Sequence, residues 1–487
     1  MKRFVSTLAL AGTLAACTVG PDYKLRTAAE LGVPVGYSVP AAPTAQDLTR
    51  WWTGFDDPVL GQLVEQASAV NLDVAQSVAR LRQAREALIQ SRADLLPTLS
   101  GSAGYQRNEN LRGGGRSFTL PDGTVVDTGG GGTNNFSVGA SARYQVGIFG
   151  EIRRTIEATR AQEEAAGFDY ATVLISVQQE VARNYVLARL YQAQLASARA
   201  SLALQDDNLE IAGFRVQAGL VSSVDQEQAR VQRAQTAATI PNLEQQYNAA
   251  VSRLGVLTSQ APGALKPLLA AIKPIPRGPA SIGAGIPADV LRRRPDVRAA
   301  ERSLAAATAN IGVAKAALYP ALAITGNINT NASGLGGLFE AVTGSLFAGL
   351  TQAIFNGGRL RSQVRTQEAA AEGALAAYQA SVLTSLEDVE NAIVALDAAR
   401  RREREFGIAY DAARASAFLS RSQYRTGLTD FTTLSQQEAS LLGAENGLSQ
   451  ARADQATATI ALFAALGGGW DSETTPVAPP RAATESN

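Results

Sequence analysis

Histidine is absent from the 487 residues, and cysteine occurs once, at Cys17. Without an imidazole there is no Ser-His-Asp or Cys-His pair and no His-bound metal. A lone thiol makes neither an intrachain disulfide nor a thiolate cluster. Charge in excess is missing too: 44 basic residues balance 44 acidic ones, so nothing in the composition attracts nucleic acid. Aromatics are only 6% while apolar residues reach 46%, much of it alanine, which suits long, closely packed helices better than a bulky core. Beyond the first residues, no apolar run approaches the ~18 residues of a membrane-spanning helix. The expectation is a protein that is not an enzyme and uses no cofactor or metal.

What is present begins with an address. Met1-Lys2-Arg3 precedes a short apolar stretch, Phe4 to Leu14, which runs into Leu14-Ala15-Ala16-Cys17. This is the form of a secretory signal peptide over residues 1–16. The Leu-Ala-Ala-Cys order resembles a bacterial lipobox, whose cysteine is acylated and becomes the mature N-terminus. Thr18, where some lipoproteins have Asp, points to the outer membrane. Cys17 is the expected lipid-attachment residue; the alternative is an ordinary secretory signal with an incidental cysteine.

The rest repeats one plan. Helical patterns over Pro58 to Leu96 and Pro287 to Tyr319 end at Pro97 and Pro320, and alternation follows each proline. Phe136, Val138, Ala140, Ala142, Tyr144, Val146 and Ile148 interleave with Ser137, Gly139, Ser141, Arg143, Gln145 and Gly147, the period of a two-faced strand. Four strands are expected, at about 97–107, 134–149, 320–330 and 345–355, the last placed mainly by the repeat because Leu346 to Phe355 alternates poorly. Each return strand ends in Ile-Phe and glycine: Ile148-Phe149-Gly150, then Ile354-Phe355-Asn356-Gly357-Gly358. The segments that follow, Glu151 to Ala218 and Arg359 to Thr426, are equal in length and stop at Gly219 and Gly427. As helices at 1.5 Å per residue each is roughly 100 Å long, the scale of a periplasm.

Leu174, Val181, Ala188, Leu195, Leu202, Leu209 and Val216 recur as heptads, as do Leu375, Val382, Val389 and Leu396. Such a seam drives helices to coil around neighbours. Return helices are expected over Ser222 to Leu257 and Asp430 to Leu466. The resulting division is signal 1–16, lipid-anchored N-terminal linker 17–50, repeat one 51–258, Pro- and Gly-rich linker 259–285, repeat two 286–470 and irregular tail 471–487.

Strand pairs cannot lie in lipid with open edges, because each unpaired backbone group costs several kcal/mol, about the worth of a lost hydrogen bond in hydrocarbon. Membrane barrels need about eight strands or more, so four per chain imply that several chains share one barrel. The competing expectation is a soluble coiled-coil protein with a small packed sheet.

Several segments resemble the outer membrane factor (TolC) family, in its OprM-like lipoprotein branch. They are Cys17-Thr18-Val19-Gly20-Pro21-Asp22-Tyr23, Trp51-Trp52-Thr53-Gly54-Phe55-Asp56-Asp57-Pro58, the run from Ile286 to Val297 with Ala300-Glu301, Ile311-Gly312 and Tyr319-Pro320, then Tyr424-Arg425-Thr426-Gly427 and Ala465 to Trp470. The resemblance implies a mainly α fold with membrane β, two repeats per chain, and a homotrimer with a twelve-stranded β-barrel above a coiled-coil α-barrel. It implies a passive outer-membrane efflux duct for small molecules, served by a periplasmic adaptor and an inner-membrane transporter of the resistance-nodulation-division (RND) class. A type I secretion component or a structural envelope lipoprotein is the alternative. It also implies a periplasmic aperture near Gly219 and Gly427, where Asp225 bonds across to Tyr424. Other family aperture positions fall on Thr429, Thr433 and Gln436, which lack the usual charges, with Asp430 nearby as the possible substitute.

Overall fold

A computed structural model describes residues 18–40, 48–109, 111, 116–128 and 132–477. The expected signal segment, Cys17 as the expected lipid-attachment residue, and the end of the tail from 478 onward lie outside the described residues. The helices in chain order are α1 (Pro58–Val70), α2 (Leu72–Ala93), α3 (Glu151–Gln217), α4 (Ser223–Leu257), α5 (Pro287–Arg293), α6 (Pro295–Ala316), α7 (Arg359–Arg425) and α8 (Phe431–Ala465), with one further turn at Lys266–Leu269. The strands are β1 (Thr98–Asn108), β2 (Arg116–Thr119), β3 (Val125–Thr128), β4 (Thr133–Val146), β5 (Ala321–Ala332) and β6 (Val342–Thr351). Matching elements have equal lengths: 22 residues for α2 and α6, 67 for α3 and α7, 35 for α4 and α8.

The helix ends have local causes. Ser222 caps α4 by accepting from the Val224 amide, and Asp430 caps α8 by accepting from Thr433. Gly219 and Gly427 have φ of 71° and 78°, a left-handed conformation that favours glycine. Each closes its long helix with the same bond, Leu220 N–H to the Arg215 carbonyl in one and Leu428 N–H to the Gln423 carbonyl in the other.

The first helix of each repeat is broken where one continuous helix is expected. Asn71 is extended; its side-chain oxygen accepts from the Asp73 and Val74 amides, starting α2, while its amide donates to the Leu257 carbonyl at 2.8 Å. Arg294 is extended because Pro295 follows it.

The chain forms two compact units, each drawing on both repeats. One comprises Met1–Lys24, Ala84–Gln162 and Ser303–Ala374; the other comprises Leu25–Gln83, Glu163–Arg302 and Leu375–Asn487. The first unit holds an antiparallel sheet in the order β1-β4-β5-β6. The second packs Trp51, Trp52 and Phe55 against Leu60, Leu63, Tyr185, Leu254, Ile460 and Phe463. Trp51 stacks on Phe463 at 5.6 Å, and Asp57 with Pro58 starts α1.

A polar network lies inside that core. Arg189 is fully buried and donates to the Tyr185 hydroxyl (3.1 Å), the Gln192 side chain (2.6 Å) and the Ala271 carbonyl (2.8 Å). Tyr185 in turn donates to Asp57 at 2.6 Å. The guanidinium therefore ties the linker between repeats to α3 and, through Tyr185, to the cap of α1. Arg189→Ala leaves a void and orphans the Ala271 carbonyl, at an expected cost of about 2–5 kcal/mol. Thermal unfolding of the detergent-extracted protein measures it.

Candidate functional site

Strand register decides what the sheet can do. In β4, Phe136, Val138, Ala140, Ala142, Tyr144 and Val146 share a face. Their partners on β1 include Tyr105, Ala103, Gly101 and Leu99, and on β5 they include Ile328, Gly326, Ile324 and Leu322. Leu322, Ile324 and Gly326 then face Leu350, Ala348 and Leu346 of β6. One face is thus apolar across all four strands. The other carries Ser100, Ser102, Ser141, Arg143, Thr325, Asn327, Ser345 and Thr351 in the same register.

The apolar face is not a core. Leu99, Leu346 and Leu350 are 78%, 81% and 65% exposed. Aromatic pairs lie at both ends of the strands, Tyr105 on Phe136 at 4.8 Å and Phe149 on Tyr319 at 4.7 Å. An exposed apolar band with aromatic margins and a polar reverse face is the pattern of a membrane barrel wall. Among the described residues no helix is long and apolar enough to cross a membrane. In this sheet β1 and β6 each pair on one side only.

β6 differs from expectation. It runs from Val342 to Thr351, so Ile354 and Phe355 lie beyond it. Pro320 has no N–H to extend the ladder, and the last pair is Ala321 with Thr351. Read from Val342, the strand does alternate, with Phe347 the one large apolar residue out of phase. A short hairpin, β2 with β3, also lies in the connection between β1 and β4.

The second site is the pair of turns at Gly219 and Gly427. Tyr424, 2% exposed, packs with Ala212, Ala229, Phe431 and Leu434, and its ring meets Phe431 edge-on at 6.0 Å. Asp225 is close enough for its charge to act on Tyr424. Burial above all raises the Tyr424 hydroxyl from its ordinary value; Asp225 adds to that and Arg215 opposes it. Among the described residues the Tyr424 hydroxyl has no hydrogen-bond partner, so the expected Asp225–Tyr424 hydrogen bond is not made. Its neighbour is instead Arg215, whose guanidinium lies 4.3 Å from the ring centroid and donates to the Tyr424 carbonyl at 2.6 Å and the Arg425 carbonyl at 3.3 Å. A cation from the last turn of α3 thus caps the C-terminus of α7.

The remaining expected positions separate. Asp430 is exposed, and its carboxylate is occupied by the Thr433 amide at 2.7 Å, which holds it below the usual carboxylate range. Thr429 is half-buried and Thr433 exposed. Gln436 lines a groove of about 570 Å³ with Val224, Gln228, Val231, Thr432 and Ser435. Sequence reasoning missed a charge pair here. Glu438, 5% exposed, accepts from Arg421 Nε at 2.8 Å and from Asn208 Nδ2 at 2.9 Å, joining α8 to α7 and α3. The signal was available: Glu438 continues the buried stripe of Phe431 and Leu434, where a carboxylate needs a partner.

The sequence pattern of the outer membrane efflux protein family matches residues 63–259 and 286–468, one stretch in each half. The chain belongs to the outer membrane efflux protein family. It is 31% identical to the pyoverdine export outer membrane protein OpmQ of Pseudomonas putida, over 97% of this chain and 99% of that one. It is 28% identical to the toluene efflux pump outer membrane protein TtgF of Pseudomonas putida, over 97% and 98%. The solved outer-membrane channel OprN matches with a TM-score of 0.82 at 30% identity, covering 93% of this chain and 100% of that one. The open-state Neisseria gonorrhoeae MtrE channel, 23% identical with a TM-score of 0.79 over 94% of this chain and 99% of that one, shares the fold. The protein is an outer-membrane efflux channel, mainly helical with a membrane β portion, and its family and fold are those of channels.

Proposed function

We propose that three copies close their sheets into a twelve-stranded barrel and form the exit duct of a tripartite pump. The observation that carries this is the four-stranded sheet with one apolar face, one polar face and an unpaired edge at either side. Lipid tolerates no open edge, so β6 of one copy must pair with β1 of the next. The repeats give the register. Thr98 pairs with Arg143 as Ala321 pairs with Thr351, so the β4–β5 pair Ala140 with Ile328 corresponds to Ala348 with Tyr105 of the partner subunit.

Cys17 carries the lipid anchor, residues 51–258 and 286–470 are the two repeats, and the aperture is lined around Asp225, Tyr424, Thr429, Asp430, Thr433 and Gln436. The aperture uses few inward charges, since Asp430 serves its own helix. A periplasmic adaptor and an RND-class inner-membrane transporter supply the drive, and the duct itself catalyses nothing. Relatives named for pyoverdine export and toluene efflux support small, toxic or secreted organic compounds as cargo.

The test pairs Ala348→Cys with Tyr105→Cys in one chain. Oxidation in outer membranes is expected to give a ladder that ends at a covalent trimer. A ladder ending elsewhere, or none, sinks the closure. Cross-linking in intact cells that recovers only an ABC transporter would overturn the pump assignment and leave the channel.

A further inference from the structure

Two motifs have no part in the duct or its aperture: the mature start Thr18-Val19-Gly20-Pro21-Asp22-Tyr23, and Gly312 near the C-terminal end of α6. The structure brings them together within the sheet-bearing unit. Glycine inside a helix costs about 0.5–1 kcal/mol relative to alanine, so its use there needs a reason. The reason is contact. A Cβ on Gly20 would overlap the Gly312 backbone, and a Cβ on Gly312 would come within 2.8 Å of the Arg154 side chain. Gly20 itself has φ of 103°, open only to glycine in practice.

Arg154 completes the arrangement. Its side chain is 5% exposed although it stands in the second turn of α3. Nε donates to the Val19 carbonyl at 3.3 Å, Nη2 to the Gly20 carbonyl at 3.4 Å and to Asp22 at 2.6 Å, and Nη1 to Glu157 at 2.8 Å. The Val19 amide donates to the Phe149 carbonyl at 3.3 Å, and Thr18 lies against Gly150. Tyr23 packs on the small patch of Ala161, Ala305 and Ala306. Three of the four Arg154 contacts are therefore to the N-terminal segment, and a buried guanidinium with such a set is costly to leave empty.

We propose that Arg154, Gly150 and Gly312 form a receptor for the chain's own mature N-terminus, which clamps Thr18–Asp22 where the strands meet the helices. The clamp rests on the reading of Cys17 as the lipid-attachment residue, and it gives that lipid a fixed station. Phe149, Gly150 and Tyr319 border the ends of β4 and β5, so the clamp holds Thr18 at the rim of the apolar band. The anchor then acts as a staple between lipid and barrel. A free tether would need neither a buried arginine nor two apposed glycines.

The test uses acylated protein extracted from outer membranes. Mass measurement of the N-terminal peptide reports whether Cys17 carries lipid, independently of the clamp. Hydrogen exchange over residues 18–23 reports the clamp. In the unaltered protein the Val19 amide is expected to be protected; in Arg154→Ala exchange over this segment is expected to rise at least about tenfold, with the strands and long helices unchanged. Gly312→Val, which leaves the Arg154 charge in place, is expected to do the same by overlap. Asp22→Asn alters only an exposed side chain, folds normally, and is expected to give a smaller rise of about threefold. Each Arg154 or Gly312 variant is expected to reduce the fraction of detergent-resistant oligomer in the outer membrane. Free-peptide exchange in the unaltered protein, or unchanged exchange in all three variants, overturns the receptor. A protected segment on an unacylated Cys17 overturns the anchor reading and with it the stapling role.

Discussion

Leu346→Arg is expected to abolish assembled channel in the outer membrane, while Asn327→Arg, one strand away, is expected to assemble. Leu346 sits in the middle of β6 opposite Gly326, on the face that is apolar in every strand, and is 81% exposed. An arginine facing lipid at the bilayer midplane costs about 2–4 kcal/mol. A closed barrel carries that cost once per chain, so in a trimer it is comparable to the whole stability of a typical domain, about 5–15 kcal/mol. Asn327 lies on the opposite face, paired with Ser141 and Ser345. There an added guanidinium stays in water and changes which ions the pore favours. Oligomer that resists detergent without heating, quantified from outer membranes, separates the two. The reverse pattern would exchange the lipid and water faces assigned to the sheet.

That assignment was legible in the sequence for β4, whose strict alternation from Phe136 to Val146 fixes two faces without any structure. It was not legible for β6, because Phe347 breaks the phase and the apolar pair Ile354-Phe355 draws the eye past the true end at Thr351. Only the ladder from Ala321 sets the frame. The turns at Gly219 and Gly427 were legible too, since glycine after a long heptad run is a local signal for a left-handed C-cap. The break at Asn71 was not, because Val70-Asn71-Leu72 holds no Gly or Pro; its partner is the Leu257 carbonyl, distant in sequence. The same holds at the aperture. The resemblance implied a bond from Asp225 to Tyr424, but the contact that holds Tyr424 comes from Arg215, which cation–π geometry reveals and residue spacing does not.

Arg421→Ala is the change expected to open the resting channel most. It removes the one cation bonded to Glu438 among the described residues and leaves a carboxylate, 5% exposed, with Asn208. Breaking a buried pair from one side costs about 3–5 kcal/mol, whereas replacing both partners by apolar residues is often neutral. The double variant Arg421→Leu with Glu438→Leu is therefore expected to be more stable than either single one, with a coupling energy of roughly 2 kcal/mol or more in the cycle. The three helices joined at Glu438 include both that end at Gly219 and Gly427. A loss of that size at this point lowers the resistance of the turns to splaying. Planar-bilayer recordings are expected to show higher open probability for Arg421→Ala and a return toward the resting level in the double variant. Destabilisation without a change in conductance would mean that the pair holds the helices together but does not oppose opening. In that case Arg215, bound to the last carbonyls of α7, becomes the contact that opening must break.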